Sequence, residues 1–136
     1  MSATPSEIAR RWFDEVWKQR KASTIYELSA PKIVGHMAHG RVETPAAFEA
    51  VWKEMLALLP DLALEIQDIV GDDKSAVVRW RLTGTATGSA LGIEATGQSA
   101  DTVGMTWLRI ENGKVIEGWD TWNLGGTMAK LAQPLA

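Results

Sequence analysis

The sequence contains no cysteine. That excludes disulfide frameworks, thiol nucleophiles and thiolate metal sites. Histidine is scarce: His36 and His39 are the two, three apart with no acidic ligand beside them. Such a pair is a poor metal site, and no metal is expected. There is no excess of positive charge, since 14 Lys and Arg against 17 Asp and Glu leave a formal net charge of −3. Without a basic stripe to follow a phosphate backbone, no nucleic-acid partner is expected. The longest apolar runs fall short of a membrane span, and no secretory apolar segment stands near Met1. No membrane partner is expected, and cytoplasmic localisation is the default expectation.

What is present is an ordinary globular composition with one odd term. Of 136 residues, 46% are hydrophobic and 23% charged, which fits one folded domain over 1–136 rather than two or a disordered chain. Seven of the aromatic residues are Trp, against two Phe and one Tyr. A small core uses one or two indoles, so seven point to a pocket wall, an interface, or both.

Thr4-Pro5-Ser6-Glu7 combines an N-cap, a first-turn proline and a capping-box glutamate, and predicts a helix over 4–21. Its apolar face is Ile8, Ala9, Trp12, Phe13, Val16 and Trp17. Ser23 is the expected cap of a second, short helix ending before Pro31, followed by an extended segment over 33–42. Thr44-Pro45 repeats the start signal for a third helix, which Pro60 closes. The period then drops to two. Leu62, Leu64 and Ile66 alternate, Ile69 and Val70 fall out of phase, and a bulge is expected near Gln67-Asp68. Strands are expected over 76–83, 102–110 and 114–122, with a tight turn at Glu111-Asn112-Gly113 and a small-residue loop over 84–100 that is a candidate lid. Gly125-Gly126 precedes a short amphipathic tail. Helices followed by a meander of antiparallel strands make an α+β fold with the helices on one sheet face.

The string Gly-Thr-Ala-Thr-Gly-Ser-Ala-Leu-Gly-Ile-Glu-Ala-Thr-Gly over 84–97, Leu108-Arg109-Ile110 and the ending Gly113-Lys114-Val115-Ile116-Glu117-Gly118-Trp119-Asp120-Thr121-Trp122-Asn123 resemble the SnoaL-like polyketide cyclases, as do Gly40 and the Pro45–Phe48 helix start. That family lies in the nuclear transport factor 2-like superfamily, and the likeness runs from about Glu7 to Leu131. It implies a cystatin-like α+β cone, a strongly bent antiparallel sheet wrapped around the N-terminal helices. It also implies catalysis without a cofactor, and a homodimer. In such cyclases an Asp on the last strand is the acid/base of an aldol ring closure, and that position falls on Asp120. A Gln and a His two apart on the preceding strand accompany it, where this chain has Gly104 and Thr106. The short segment with His36 and His39 would run beside the cavity mouth. His36 is a candidate second acid/base group, and His39 a candidate ligand contact.

Strand parity then sorts the side chains. An inward Asp120 brings Ile116, Gly118 and Trp122 inward and turns Glu117 and Trp119 out. Thr106, Leu108 and Ile110 follow Gly104 inward, while Val103, Met105, Trp107 and Arg109 face out. The outer face with Met105, Trp107 and Trp119 is too apolar for open water, and a second subunit is expected there. On the middle strand two parities remain open: Trp80 inward with Val78, or Arg79 and Arg81 inward. Candidate substrate contacts are Trp12, His39, Trp52, Trp80, Thr106 and Trp122, around a small apolar or cyclic ligand. Three functions compete. The first is acid/base catalysis on a carbonyl compound, by aldol cyclisation or enol isomerisation. The second is non-enzymatic binding of a small molecule. The third resembles limonene-epoxide hydrolase, which needs an Arg-x-Asp pair where this chain reads Arg79-Trp80-Arg81.

Overall fold

A computed structural model describes residues 3–38 and 40–135, so the expected contact at His39 lies outside the described residues. Helix α1 (Pro5–Arg11) opens on the expected capping box. The Glu7 amide donates to Thr4 Oγ1 at 3.2 Å and the Thr4 amide to Glu7 Oε1 at 3.1 Å. The helix does not run on as one α-helix to residue 21. It widens into a π-helical segment, Trp12–Lys18, where the Gln19 amide reaches back five residues to the Asp14 carbonyl at 3.0 Å. A π turn near its end leaves the Val16 carbonyl to an outside donor, and Trp52 Nε1 supplies the hydrogen bond at 3.1 Å.

Helix α2 (Ala22–Leu28) follows, but Ser23 is inside it and not its cap. Lys21 holds the cap position and makes no side-chain cap bond. The extended segment is longer than expected and folds back on itself. Strand β1 (Ser29–Met37) pairs antiparallel with β2 (Gly40–Val42). Helix α3 (Pro45–Leu58) starts where expected, with the Ala47 amide donating to Thr44 Oγ1 at 3.0 Å.

Strands β3 (Ala63–Gly71), β4 (Ser75–Thr85), β5 (Ser99–Glu111) and β6 (Lys114–Trp122) form the antiparallel meander. The bulge in β3 falls between Ile66 and Asp68, which turns Ile69 toward the core and leaves Val70 60% exposed. The β5–β6 turn has Asn112 at φ 52° and Gly113 at φ 73°, the left-handed pair that a two-residue hairpin requires. The full order is β2-β1-β6-β5-β4-β3. The sheet is therefore not purely antiparallel, because β1 adds to β6 in parallel register, with His36 opposite Trp119. A second irregularity, between Arg109 and Ile110 of β5, pairs Ile110 with Val115. It shifts the phase of β6, so Val115 is buried in place of the expected Ile116.

The connection between β4 and β5 is shorter than 84–100, because both strands extend into it. It is tied down rather than loose. The Gly88 amide donates to the Leu58 carbonyl at 3.2 Å, and Ile93 and Ala86 join the core. A Cβ at Gly88 would lie 1.7 Å from the Ala57 carbonyl oxygen, so only glycine lets the loop approach α3 this closely. Helix α4 (Leu124–Leu131) takes in both glycines, capped by Asn123, and seats Leu131 fully in the core. The helices and the inner sheet face enclose a single core that runs from Ile8 to Leu131.

Candidate active site

The inner face is decided by β4. Ala76, Val78, Trp80 and Leu82 are buried, and Arg79 and Arg81 face outward. Arg81 is held there by Asp101 through two hydrogen bonds of 2.8 and 2.6 Å. The epoxide-hydrolase reading loses its geometry, because neither guanidinium enters the interior. The outer positions of β5 come out as expected, with Val103, Met105 and Trp107 all more than 40% exposed.

Between the sheet and the helices lies a cavity of about 410 Å³, within the size range of small-molecule sites. Trp12, Trp17 and Phe48 wall one side, in edge-on contact at 5.1 and 6.3 Å. Trp80 and Trp122, with centroids 5.8 Å apart, wall the other. Trp17 thus belongs to the pocket and not only to the core. Trp52 does not: its ring is buried and its N–H is committed to Val16, so the expected substrate contact is a structural one. Leu91 from the β4–β5 loop, Met37, Met128 and Glu54 also line the cavity, and sequence reasoning did not mark them. Leu91 sits in a left-handed conformation at φ 55° and is 47% exposed at that loop's tip.

Asp120 projects into this cavity from β6, directly opposite Thr106 of β5. Thr106 Oγ1 donates to Asp120 Oδ1 at 2.7 Å, and Trp80 Nε1 donates to Thr106 Oγ1 at 2.9 Å. No Lys or Arg is among the described residues that line the cavity. The carboxyl is reached by solvent through the cavity and otherwise enclosed by protein. Desolvation pushes it up from 3.8 to about 6, against the smaller opposing effect of the Thr106 hydrogen bond. A carboxyl titrating there exchanges protons readily near neutral pH.

Gly104 explains why Trp80 can reach. Trp80 is opposite Gly104 in the β4–β5 register, and a Cβ there would lie 2.6 Å from Trp80 Cζ2 and Cη2. The indole crosses the strand over the glycine and meets Thr106. Where the resembling cyclases carry Gln and His, this chain uses one indole and one hydroxyl. Thr106, expected as a substrate contact, spends its hydroxyl on Asp120.

His36 is not brought to Asp120. Its parallel pairing with Trp119 gives it the outer face, where the rings stack at 5.3 Å and Nε2 meets Glu117 Oε2 at 2.7 Å. Strand β1 still borders the cavity at this residue, but the imidazole is held by Glu117, on the other side of the sheet.

The SnoaL-like polyketide cyclase profile matches residues 7–131. The chain belongs to that family. None of the curated protein sequences matches it. Among solved structures, it is similar to a candidate SnoaL-like polyketide cyclase from Jannaschia sp. CCS1, at 24% identity and TM-score 0.87 over 99% of each chain. It is also similar to IdmH, a candidate polyketide cyclase from Streptomyces antibioticus, at 23% identity and TM-score 0.81 over 96% of this chain and 100% of that one. AclR, a candidate hydroxylase from Streptomyces galilaeus, matches at 27% identity and TM-score 0.78 over 91% and 92%. These likenesses show the nuclear transport factor 2-like fold. A candidate cyclase and a candidate hydroxylase share this scaffold, so the side chains of the site and not the fold decide the reaction.

Proposed function

We propose that this SnoaL-like protein is a cofactor-independent acid/base catalyst. Its substrate is a small, uncharged, largely apolar carbonyl compound, and the reaction is an aldol ring closure or an enol isomerisation. The observation that carries this reading is one desolvated carboxyl, Asp120, titrating at about 6 in an aromatic-walled cavity. In the base form, Asp120 takes the proton from the carbon beside a carbonyl and leaves an enolate. In ring closure, the enolate carbon then bonds to a second carbonyl carbon, and Asp120 returns the proton to the new alkoxide. In isomerisation the proton returns to a different carbon. Either way atoms and protons balance and no redox partner is needed. A substrate that fills the apolar cavity displaces the water that would quench the enolate.

The test is Asp120→Asn, assayed for turnover and for binding across a panel of uncharged cyclic ketones. Loss of turnover with retained binding supports the catalyst. Turnover that survives the substitution overturns it. Tight binding with no turnover by the unaltered protein would make the cavity a binding site only.

The outer face supports a second proposal, that the sheet pairs with another copy of this chain. Val103, Met105 and Trp107 are 51%, 53% and 42% exposed on adjoining positions of β5, beside the Trp107–Trp119 contact at 5.0 Å. The face carries both charge signs, with Arg79, Arg81 and Arg109 against Asp101 and Glu117, which suits a self-complementary contact. Sedimentation of Trp107→Lys should show a monomer where the unaltered protein is a dimer. A monomeric unaltered protein would end the proposal.

A further inference from the structure

We infer that Trp80 is a positioning residue for Asp120, acting through the Thr106 hydroxyl to fix which carboxyl oxygen meets the ligand. An indole N–H can only donate, so at 2.9 Å Thr106 Oγ1 must accept from Trp80. Thr106 is only 8% exposed, and among the described residues its one other partner is Asp120 Oδ1, at 2.7 Å. If Thr106 also accepted from a protonated Asp120, its own hydrogen would be buried without an acceptor. The arrangement that satisfies every group runs one way, from Trp80 Nε1–H to Thr106 Oγ1–H to Asp120 Oδ1.

Two consequences follow for the carboxyl. Oδ1 is a committed acceptor, so the proton comes and goes at Oδ2, the oxygen left for the ligand. Accepting from Trp80 also polarises the Thr106 hydroxyl and makes it a stronger donor toward Asp120. Trp80 therefore favours the carboxylate without touching it, and Gly104 is the third member of the unit because it leaves the indole its path. Among the described residues, the other ionisable ones at the cavity are Glu54 on α3 and His36 on β1, whose imidazole turns away to Glu117, and neither hydrogen-bonds this chain of groups. The inference deepens the reading of Asp120 as the reacting group and rests on it for its bearing on catalysis, but its test needs no turnover.

Two titrations followed by NMR test it. In the unaltered protein, the Trp80 indole N–H resonance should move with pH at the same midpoint as the Asp120 carboxyl carbon. In T106V, that movement should vanish and the Asp120 midpoint should rise by about one pH unit. T106S, which keeps the hydroxyl, should restore both. Trp80→Phe changes burial as well as the hydrogen bond, so it is compared in two backgrounds. Its effect on the Asp120 midpoint should be more positive with Thr106 present than in T106V, by roughly 0.3 unit. Equal effects in the two backgrounds, or a Trp80 indole signal indifferent to the Asp120 titration, would overturn the inference. The Trp80 indole titration uses the unaltered protein, so it stands even where a variant does not fold. A flat Trp80 titration leaves Asp120 catalysis intact, and failure of Asp120→Asn to stop turnover leaves the positioning intact.

Discussion

Asp120→Asn should make the protein more stable at alkaline pH, and the size of the gain can be worked out. Burial raises the Asp120 carboxyl from 3.8 to about 6, so between those values the folded state binds a proton that the unfolded chain has lost. Stability then falls as pH rises through that window, and the loss is complete above about 6. At about 1.36 kcal/mol per pH unit the gap comes to about 3 kcal/mol, an upper figure because the cavity admits some solvent. Asn is nearly isosteric, carries no charge, and its Oδ1 still accepts from Thr106. For 136 residues at about 2.1 cal/mol/K each, the unfolding entropy is about 0.29 kcal/mol/K, so the gain is at most about 10 °C in Tm. Thermal melts of both proteins from pH 4 to pH 8 check it. Other groups titrate over this range, but they cancel in the difference between the two proteins. The difference should be small at about pH 4, about 0.5 kcal/mol, and reach its full value above about pH 7. A variant no more stable than its parent at about pH 8, or a difference independent of pH, would refute the desolvated carboxyl and the catalytic argument built on it.

Gly104→Ala forces a methyl to within 2.6 Å of the Trp80 ring and 2.8 Å of Trp122 Cβ, and should cost about 1–3 kcal/mol in urea unfolding. It should also shift the Trp80 indole N–H signal as the indole is pushed off Thr106. Trp52→Phe removes the donor to the Val16 carbonyl and should cost about 1–3 kcal/mol while leaving ligand affinity within about twofold, since Trp52 is outside the cavity. With no Lys or Arg among the described residues that line the cavity, aromatic methyl esters should bind at about pH 8 at least tenfold more tightly than the corresponding carboxylates. Calorimetry on matched ester and acid pairs gives the ratio, and equal affinities would show that the cavity does not select by charge.

The elements with strong local signals were legible in the sequence. Thr4-Pro5 and Thr44-Pro45 set both helix starts through bonds made within four residues, and Asn112-Gly113 set its hairpin through two left-handed backbones. Asp120 was legible through its place in a matching string. What failed was information carried across strands. The β5–β6 irregularity exchanged Ile116 for Val115, and the parallel seating of β1 on β6 put His36 on the outer face. No period within one strand encodes either. Trp52 was misplaced for a related reason. Its stripe position is shared by pocket and core residues alike, and only the π-helical winding of another segment, which frees the Val16 carbonyl, decides between them.

Gly104 is the instructive residue. Set against the resembling family alone, Gly104 and Thr106 read as two losses, a missing amide and a missing imidazole. Their neighbours give them one joint meaning. A glycine in mid-strand marks a close approach by something bulky, and the register makes that something Trp80. A threonine in place of histidine shortens the reach to Asp120 but keeps a donor at 2.7 Å, and the indole then supplies the hydrogen bond that orients it. The three positions are therefore coupled: restoring Gln at 104 by itself would drive it into the Trp80 ring. A cyclase-like set of side chains at 104 and 106 needs a smaller residue at 80 first, and G104Q/T106H should fold only in that company.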